Sequence, residues 1–193
     1  MTPPETTAEL LHKLSKELPS KRALLIDRYP NARSSLRIML ASMGVTAVHN
    51  AGNSAEVLRQ VKAHSFDIIL SAYLLEDGRD GQQLLEELRQ QHLLRRNTVV
   101  FIITGERGYH NVVSIAELAP DDYLIKPFST EELHARLVRA IYRKRFFAQA
   151  YEHLDNGAFA LALANCERLL GQDSGFLFDA LRLKGEILNT LGR

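Results

Sequence analysis

The chain has 193 residues, of which 46% are hydrophobic and 24% charged, and a formal net charge of +1. Such a composition supports a packed core and excludes a disordered polymer, while the near-zero charge argues against a general nucleic-acid binder, which shows a basic excess. The single cysteine, Cys166, cannot form an internal disulfide and suits a reducing, cytoplasmic setting; without an apolar run of membrane-spanning length or a basic start leading into an apolar core, neither a membrane partner nor a secretion signal is expected.

Residues 1–20 open with Thr, Pro and Glu and then become periodic. Leu10, Leu11, Leu14 and Leu18 share one helical face, and Pro19 ends the helix. This reads as an arm packed on the main domain, or as a docking helix for a partner or a second copy. Strand and helix then alternate. A short apolar strand covers 23–26. A helix covers 31–43, with Leu36, Met39, Leu40 and Met43 inward and Gly44 as its stop. The pattern continues with a strand over 45–49, a helix over 54–64, a strand over 66–71 and a helix over 82–92. A strongly apolar strand over 98–103, a weaker helix over 111–118 and a short strand over 122–125 follow. Ser129, with Glu132 three residues on, forms a capping box that opens the last helix of this unit.

Five strands alternating with five helices predict an α/β fold, a five-stranded parallel sheet covered by helices on both faces. All the strands read as apolar throughout, as burial on both sides requires. Sites in such sheets form at the carboxyl ends of the strands. Those ends carry Asp27-Arg28, Ala72, Thr104 and Lys126, so four loops converge on one crevice.

After Tyr142 the character changes. Arg143-Lys144-Arg145 reads as a basic joint on a solvated helix face. Helices are expected over 151–156, 158–170 and 176–191, with breaks at Asn156-Gly157 and over 171–175. Ala150 and Gly157 recur as Gly185 and Gly192 after 35 residues, a period that points to stacked helical hairpins. AYEHLDNGAFALALANCERLL resembles a tetratricopeptide repeat, with Ala150 as the small packing residue, Gly157 at the turn, and Phe159 and Ala162 in the second helix. One repeat and the first helix of another are present, and one repeat cannot bury its apolar face alone. The 143–193 region is therefore expected to be truncated or to pack on something else. Cys166 reads as a core thiol.

Residues 21–142 resemble the receiver domain of bacterial two-component response regulators, a flavodoxin-like fold. ALLIDRYP matches the family's first strand and acidic turn, FIITGE its fourth strand with Thr104 at the hydroxyl position, and DDYLIKPF its fifth, with Tyr123 as the switch aromatic and Lys126 as the lysine. The resemblance implies a magnesium ion held by carboxylates and an aspartate nucleophile at the end of the third strand. The lysine and the hydroxyl would bind phosphoryl oxygens. This chain departs from the pattern at the acids. The adjacent acid pair is Asp27-Arg28, the acceptor position is Ala72, and Leu74 stands where the family often has a polar residue. A shift of register by one gives Ser71 or Tyr73, and neither is an aspartate. The loop after the strand is one residue longer than the commonest form.

Other readings of the same residues are weighed here. Asp77 and Asp80 are potential acceptors, but Asp77-Gly78 and Asp80-Gly81 read as turn chemistry. Asp67 lies at the far end of the sheet. Lys126 is expected to pair with Asp27, and Arg28 to form a salt bridge or face solvent. His49, His64, His92 and His134 fall on separate elements without metal spacing. No phosphate-cradling loop, metalloprotease motif or nucleophile elbow is present, so no enzyme activity, cofactor or metal is expected. The expected function is a degenerate receiver acting in two-component-type signalling through protein contacts, independent of aspartyl phosphorylation. Its partner would be a signalling protein or a second copy in a homodimer, met through the face around Tyr123 and the C-terminal helices. The alternatives are a regulator phosphorylated on a loop aspartate and a small-anion sensor using Lys126, Arg28 and Thr104.

Overall fold

The computed structural model describes residues 7–105, 120–171 and 175–192. The helix expected over 111–118 lies outside the described residues. Helix α1 (Thr7–Glu17) leads through a single 3-10 turn (Leu18–Ser20) into β1 (Arg22–Ile26). Then come α2 (Pro30–Ser42), β2 (Ala47–Ala51), α3 (Ser54–Ala63), β3 (Ile68–Ala72), α4 (Gly81–Gln90), β4 (Val99–Thr104) and β5 (Asp122–Ile125). Helices α5 (Thr130–Phe146), α6 (Ala148–Asp155), α7 (Phe159–Leu170) and α8 (Leu177–Thr190) follow. The strands form one parallel sheet in the order β2-β1-β3-β4-β5, a doubly wound arrangement with β1 and β3 flanking the point where the order reverses.

Two cores cover the two faces of the sheet. One joins α1, α2 and α5 to Leu25, Leu70 and Phe101; the other joins α3 and α4 to Leu24, Ile69 and Val100. The strands are not uniformly apolar as expected. Central β1, β3 and β4 are buried along nearly their whole length, whereas the edge strands β2 and β5 are half-buried. An edge strand has one side without a neighbour, which explains the His49-Asn50 pair in β2.

Strand β2 begins two residues later than the sequence predicts, because Val45 serves to end α2. Gly44 takes φ +85, the Gly44 amide donates to the Ala41 carbonyl, and the Val45 amide reaches back to the Leu40 carbonyl. This is the helix stop expected at Gly44, with Val45 buried as its hydrophobic contact. At the other end of the chain's first unit, Ser129 caps α5 by accepting from the Glu132 amide at 3.2 Å.

The N-terminal apolar stripe is used within the molecule. Leu14 and Leu18 are fully buried in the first core. Helix α1 lies along α5, fixed by Ser15 Oγ and His134 Nε2 at 2.8 Å and by Arg145 with Glu17 at 2.7 Å.

The expected solvated basic joint is a correction. Helix α5 runs unbroken through it, and of its three cations only Arg145 faces outward. Arg143 and Lys144 turn inward, and Lys144 is 8% exposed. The tail then folds into three helices around Phe147, Ala150, Ala162, Cys166, Phe176 and Leu183. Phe147 and Phe176 are buried there, and the exposed large apolar residues of the tail, among those described, are Leu161 on α7, Leu177, Phe178 and Leu181 on α8, and Leu191 just after it. Gly157 and Gly192, 35 positions apart, close α6 and α8 with φ +69 and φ +70.

Candidate functional site

The parallel register brings the expected crevice together at the carboxyl edge of the sheet. Ile26 pairs with Ser71, which sets Asp27 beside Ala72; Ala72 pairs with Ile103 and Thr104 with Ile125. The Lys126 amide donates to the Thr104 carbonyl at 2.8 Å, and the Lys126–Pro127 peptide is cis. Asp27 and Thr104 are buried, at 3% and 6% exposure.

Asp27 is fully engaged. Its Oδ2 lies 3.6 Å from Lys126 Nζ, and its Oδ1 accepts from the Tyr29 amide at 2.9 Å. The expected Asp27–Lys126 pair therefore forms. Arg28 does not join it: the side chain is exposed and lies over the Tyr29 ring, 4.7 Å from its centroid. A different cation approaches. Arg33, on the first turn of α2, donates from Nη1 to the Asp27 carbonyl. Only its spacing, six residues after Asp27 and in the first turn of the following helix, hinted at this in the sequence.

Strand β3 ends in the Ala72 methyl group, which has no lone pair and cannot attack a phosphoryl centre. The loop after it folds back tightly. The Gly81 amide donates to the Tyr73 carbonyl at 2.6 Å, and a Cβ at Gly81 would stand 2.3 Å from the Ala72 carbonyl oxygen. Only glycine fits that approach. Both loop aspartates are committed. Asp80 accepts from the Gln82 amide at 2.7 Å and caps α4. Asp77 accepts from the Ser54 amide at 3.1 Å and tethers the loop to α3.

The resemblance implies magnesium, and the residues present do not fit it. Magnesium seeks an octahedron of hard oxygens. Asp27 is the one carboxylate at the expected positions; it is spoken for by Lys126 and Tyr29, and its neighbours there are Arg28 and Ala72. No cluster of three or more metal-ligating side chains exists among the described residues.

Tyr123 sits half-buried on β5, and its hydroxyl donates to Gln82 Oε1 at 2.9 Å. Gln82 is 2% exposed and also donates to Glu86 at 3.2 Å. Burial, with Asp80 and Glu86 nearby, raises the Tyr123 phenol above its ordinary range. The sequence shows Tyr123 but not its clamp, because Gln82 occupies an unremarked first-turn position in α4.

A second polar centre escaped the sequence reading altogether. Asp121, at the start of β5, points away from the crevice to the amino edge of the sheet. Three cations meet its carboxylate: Arg143 at 2.7 Å, Lys144 at 3.0 Å and Arg89 at 3.7 Å, while the Val100 amide donates at 2.9 Å. Burial alone would raise the Asp121 carboxyl's pKa. Lys144, Arg89 and Arg143 outweigh it and hold the group below the usual carboxylate range. Burial pulls the Lys144 ammonium down despite Asp121. Arg143 continues to Asp179 of α8 at 3.4 Å, and Arg96 reaches Asp155 of α6 at 3.0 Å, so the tail is tied to the sheet through charge. His49 and His64, on separate elements, meet as tilted rings with centroids 4.5 Å apart beside Phe66.

The sequence profile of the response regulator receiver domain matches residues 23–138. The transcriptional regulatory protein CpxR of Escherichia coli (strain K12) is 31% identical over 139 residues, 71% of this chain and 56% of CpxR. The transcriptional activator protein IrlR of Burkholderia pseudomallei (strain 1026b) is 33% identical over 123 residues, 64% of this chain and 51% of IrlR. The chain thus spans about half the length of the curated relatives it matches. Among solved structures, a two-component response regulator from Clostridium difficile aligns with TM-score 0.54 and 27% identity over 64% of this chain and 96% of its own. The signal receiver domain of an HD domain-containing protein from Pseudomonas fluorescens Pf-5 aligns with TM-score 0.56 and 25% identity, over 65% of this chain and 89% of its own.

Proposed function

The chain belongs to the response regulator receiver family, and from that premise we infer that it is a degenerate receiver, one that signals through protein contacts without aspartyl phosphorylation. The observation that carries this reading is Ala72 at the end of β3, beside an Asp27 carboxylate already neutralised by Lys126. In the family that lysine meets an incoming phosphoryl oxygen; here its partner is internal. The Gln82 clamp on Tyr123 supports a receiver held in one state without a trigger. A locked state needs no ligand to select it, so the face around Tyr123 stays presented to a partner.

The C-terminal helices supply the second contact surface. Gly157 and Gly192 recur 35 residues apart, close to the tetratricopeptide period of about 34, a spacing that favours a helical-hairpin docking module. The exposed Leu177, Phe178 and Leu181 of α8 favour a second copy of the chain or a signalling protein as the occupant. CpxR and IrlR are named as regulators of transcription; their match to this chain centres on the receiver, so the output of this chain is read from its own helices.

The rival readings have less support. A loop acceptor requires Asp77 or Asp80, and both are tied into helix termini. A small-anion sensor requires Lys126 and Arg28 turned to one pocket, and Arg28 lies over Tyr29. The test is incubation with acetyl phosphate and magnesium, followed by intact-mass measurement. No phosphoryl adduct is expected. A stoichiometric adduct would overturn the reading, and its position in a peptide digest would say whether Asp77, Asp80 or another residue took it.

A further inference from the structure

A cleft of about 920 Å³ opens at the amino edge of the sheet, between α4, α5 and the tail helices α6 and α8. The Asp121 cluster forms its floor. Five cations and four carboxylates line it, and Arg143, bound to Asp121 and Asp179 just behind, adds a sixth cation. The excess is positive but small: Lys144 and Arg89, the least exposed cations, are held by Asp121, while Arg96 pairs with Asp155 and Arg182 with Glu186. At the mouth, the exposed Arg95 side chain makes no ion pair among the described residues. Among these charges Leu154 and Leu183 line the tail side beside the Tyr151 ring, whose centroid lies 5.7 Å from Lys144 Nζ. The volume lies in the range of roughly 300–1,000 Å³ that small-molecule sites occupy. It is far larger than an inorganic anion needs.

We propose that this cleft binds a nucleotide-sized organic phosphate. A planar guanidinium pairs with phosphate through two parallel hydrogen bonds, so an arginine-rich rim favours such an oxyanion over a halide. Leu93, Leu94 and Leu154, which line the cleft, take the ring of the ligand. Because the ligand touches sheet and tail together, its binding tightens the joint between them. The site is separate from the crevice around Asp27 and does not depend on how that crevice works.

The test is isothermal titration of the full chain with ATP, GTP and a cyclic dinucleotide, and in a separate arm with inorganic phosphate. Variants Arg95→Ala with Arg182→Ala, and Lys126→Ala, are titrated in parallel. Arg182 pairs with the largely buried Glu186 at 3.7 Å, so the double variant is titrated only after its unfolding midpoint is measured, beside Arg95→Ala alone, which at an exposed position is expected to keep the wild-type midpoint. At least one nucleotide is expected to bind saturably with one site per chain, and inorganic phosphate about tenfold or more weakly. The double variant is expected to lose about tenfold or more of the nucleotide affinity, and Lys126→Ala none. Silence of all three nucleotides at millimolar concentration overturns the proposal. So does affinity unchanged in the double variant, or binding lost in a Lys126→Ala chain that keeps the wild-type circular dichroism spectrum, which would move the site to the Asp27 crevice.

Discussion

Asp121→Asn removes one charge and almost no volume from the polar centre that joins sheet to tail. The wild-type carboxylate is 6% exposed and faces three cations within 3.7 Å. The substitution leaves Arg89, Arg143 and Lys144 without their common counter-charge, and breaking a buried pair by deleting one partner costs about 3–5 kcal/mol. With an m-value of roughly 2–3 kcal/mol per molar urea, the urea midpoint should fall by between about 1 and 2.5 M. Lys144→Met gives the contrast. It keeps the stem, relieves a buried ammonium and leaves two arginines on Asp121, so it should cost no more than about 1 kcal/mol. The pH dependence has a definite sign. The folded pKa of Asp121 is depressed, so its contribution is present above the unfolded value of about 3.9 and is lost as pH falls through the folded value. Wild-type stability should therefore drop more steeply below about pH 4 than that of Asp121→Asn. The assay is urea unfolding by circular dichroism at pH 7 and across the acid range. If Asp121→Asn and Lys144→Met shift the midpoint equally, the cations do not depend on Asp121 and the reasoning fails.

Three further outcomes are expected. Ala72→Asp alone should not accept phosphate from acetyl phosphate, because Arg28 still stands in the second acid's place; Ala72→Asp with Arg28→Asp should do better, and equal adduct yields by intact mass would refute the locked crevice. Burial, then Asp121, push the Tyr151 phenol up to about 12. Its contribution to stability is thus whole below the unfolded value of about 10 and is lost as pH rises through the folded value, so Tyr151→Phe should flatten the alkaline fall in stability between about pH 10 and 12. Phe178 is 84% exposed; if α8 docks on a second copy, light scattering at tens of micromolar should show a dimer, and Phe178→Asp should abolish it.

The sheet was legible because period and run length mark it. FDIIL and TVVFII are too short and too apolar to be anything but central strands, and DYLI ends where the fifth strand ends. The boundaries that slipped did so for local reasons, as Val45 shows: its amide is recruited to finish α2 before β2 can start. The members of the Asp27 crevice were legible because each follows a strand directly. Of the two readings of Arg28, salt bridge or solvent, the structure shows the exposed one, over the Tyr29 ring, and Arg33 was missed because a helix carried it back. The Asp121 centre was invisible for a different reason. Its members lie on α4, β5 and α5, and Arg143-Lys144 resembles a solvated basic run until the tail folds over it.

Helix α1 occupies the flank of α5 that a partner would otherwise see. The arm and that flank are one molecule, so the arm competes there at an effective concentration on the order of millimolar. Leu14 and Leu18, wholly buried, hold it down, with the Ser15–His134 and Glu17–Arg145 contacts setting its register. A rival helix present well below millimolar must therefore bind that groove more tightly than the arm does, by the ratio of the two concentrations, before it displaces anything. Weak, non-cognate helices are thereby turned away at this flank, whereas docking on the Tyr123 face meets no such toll.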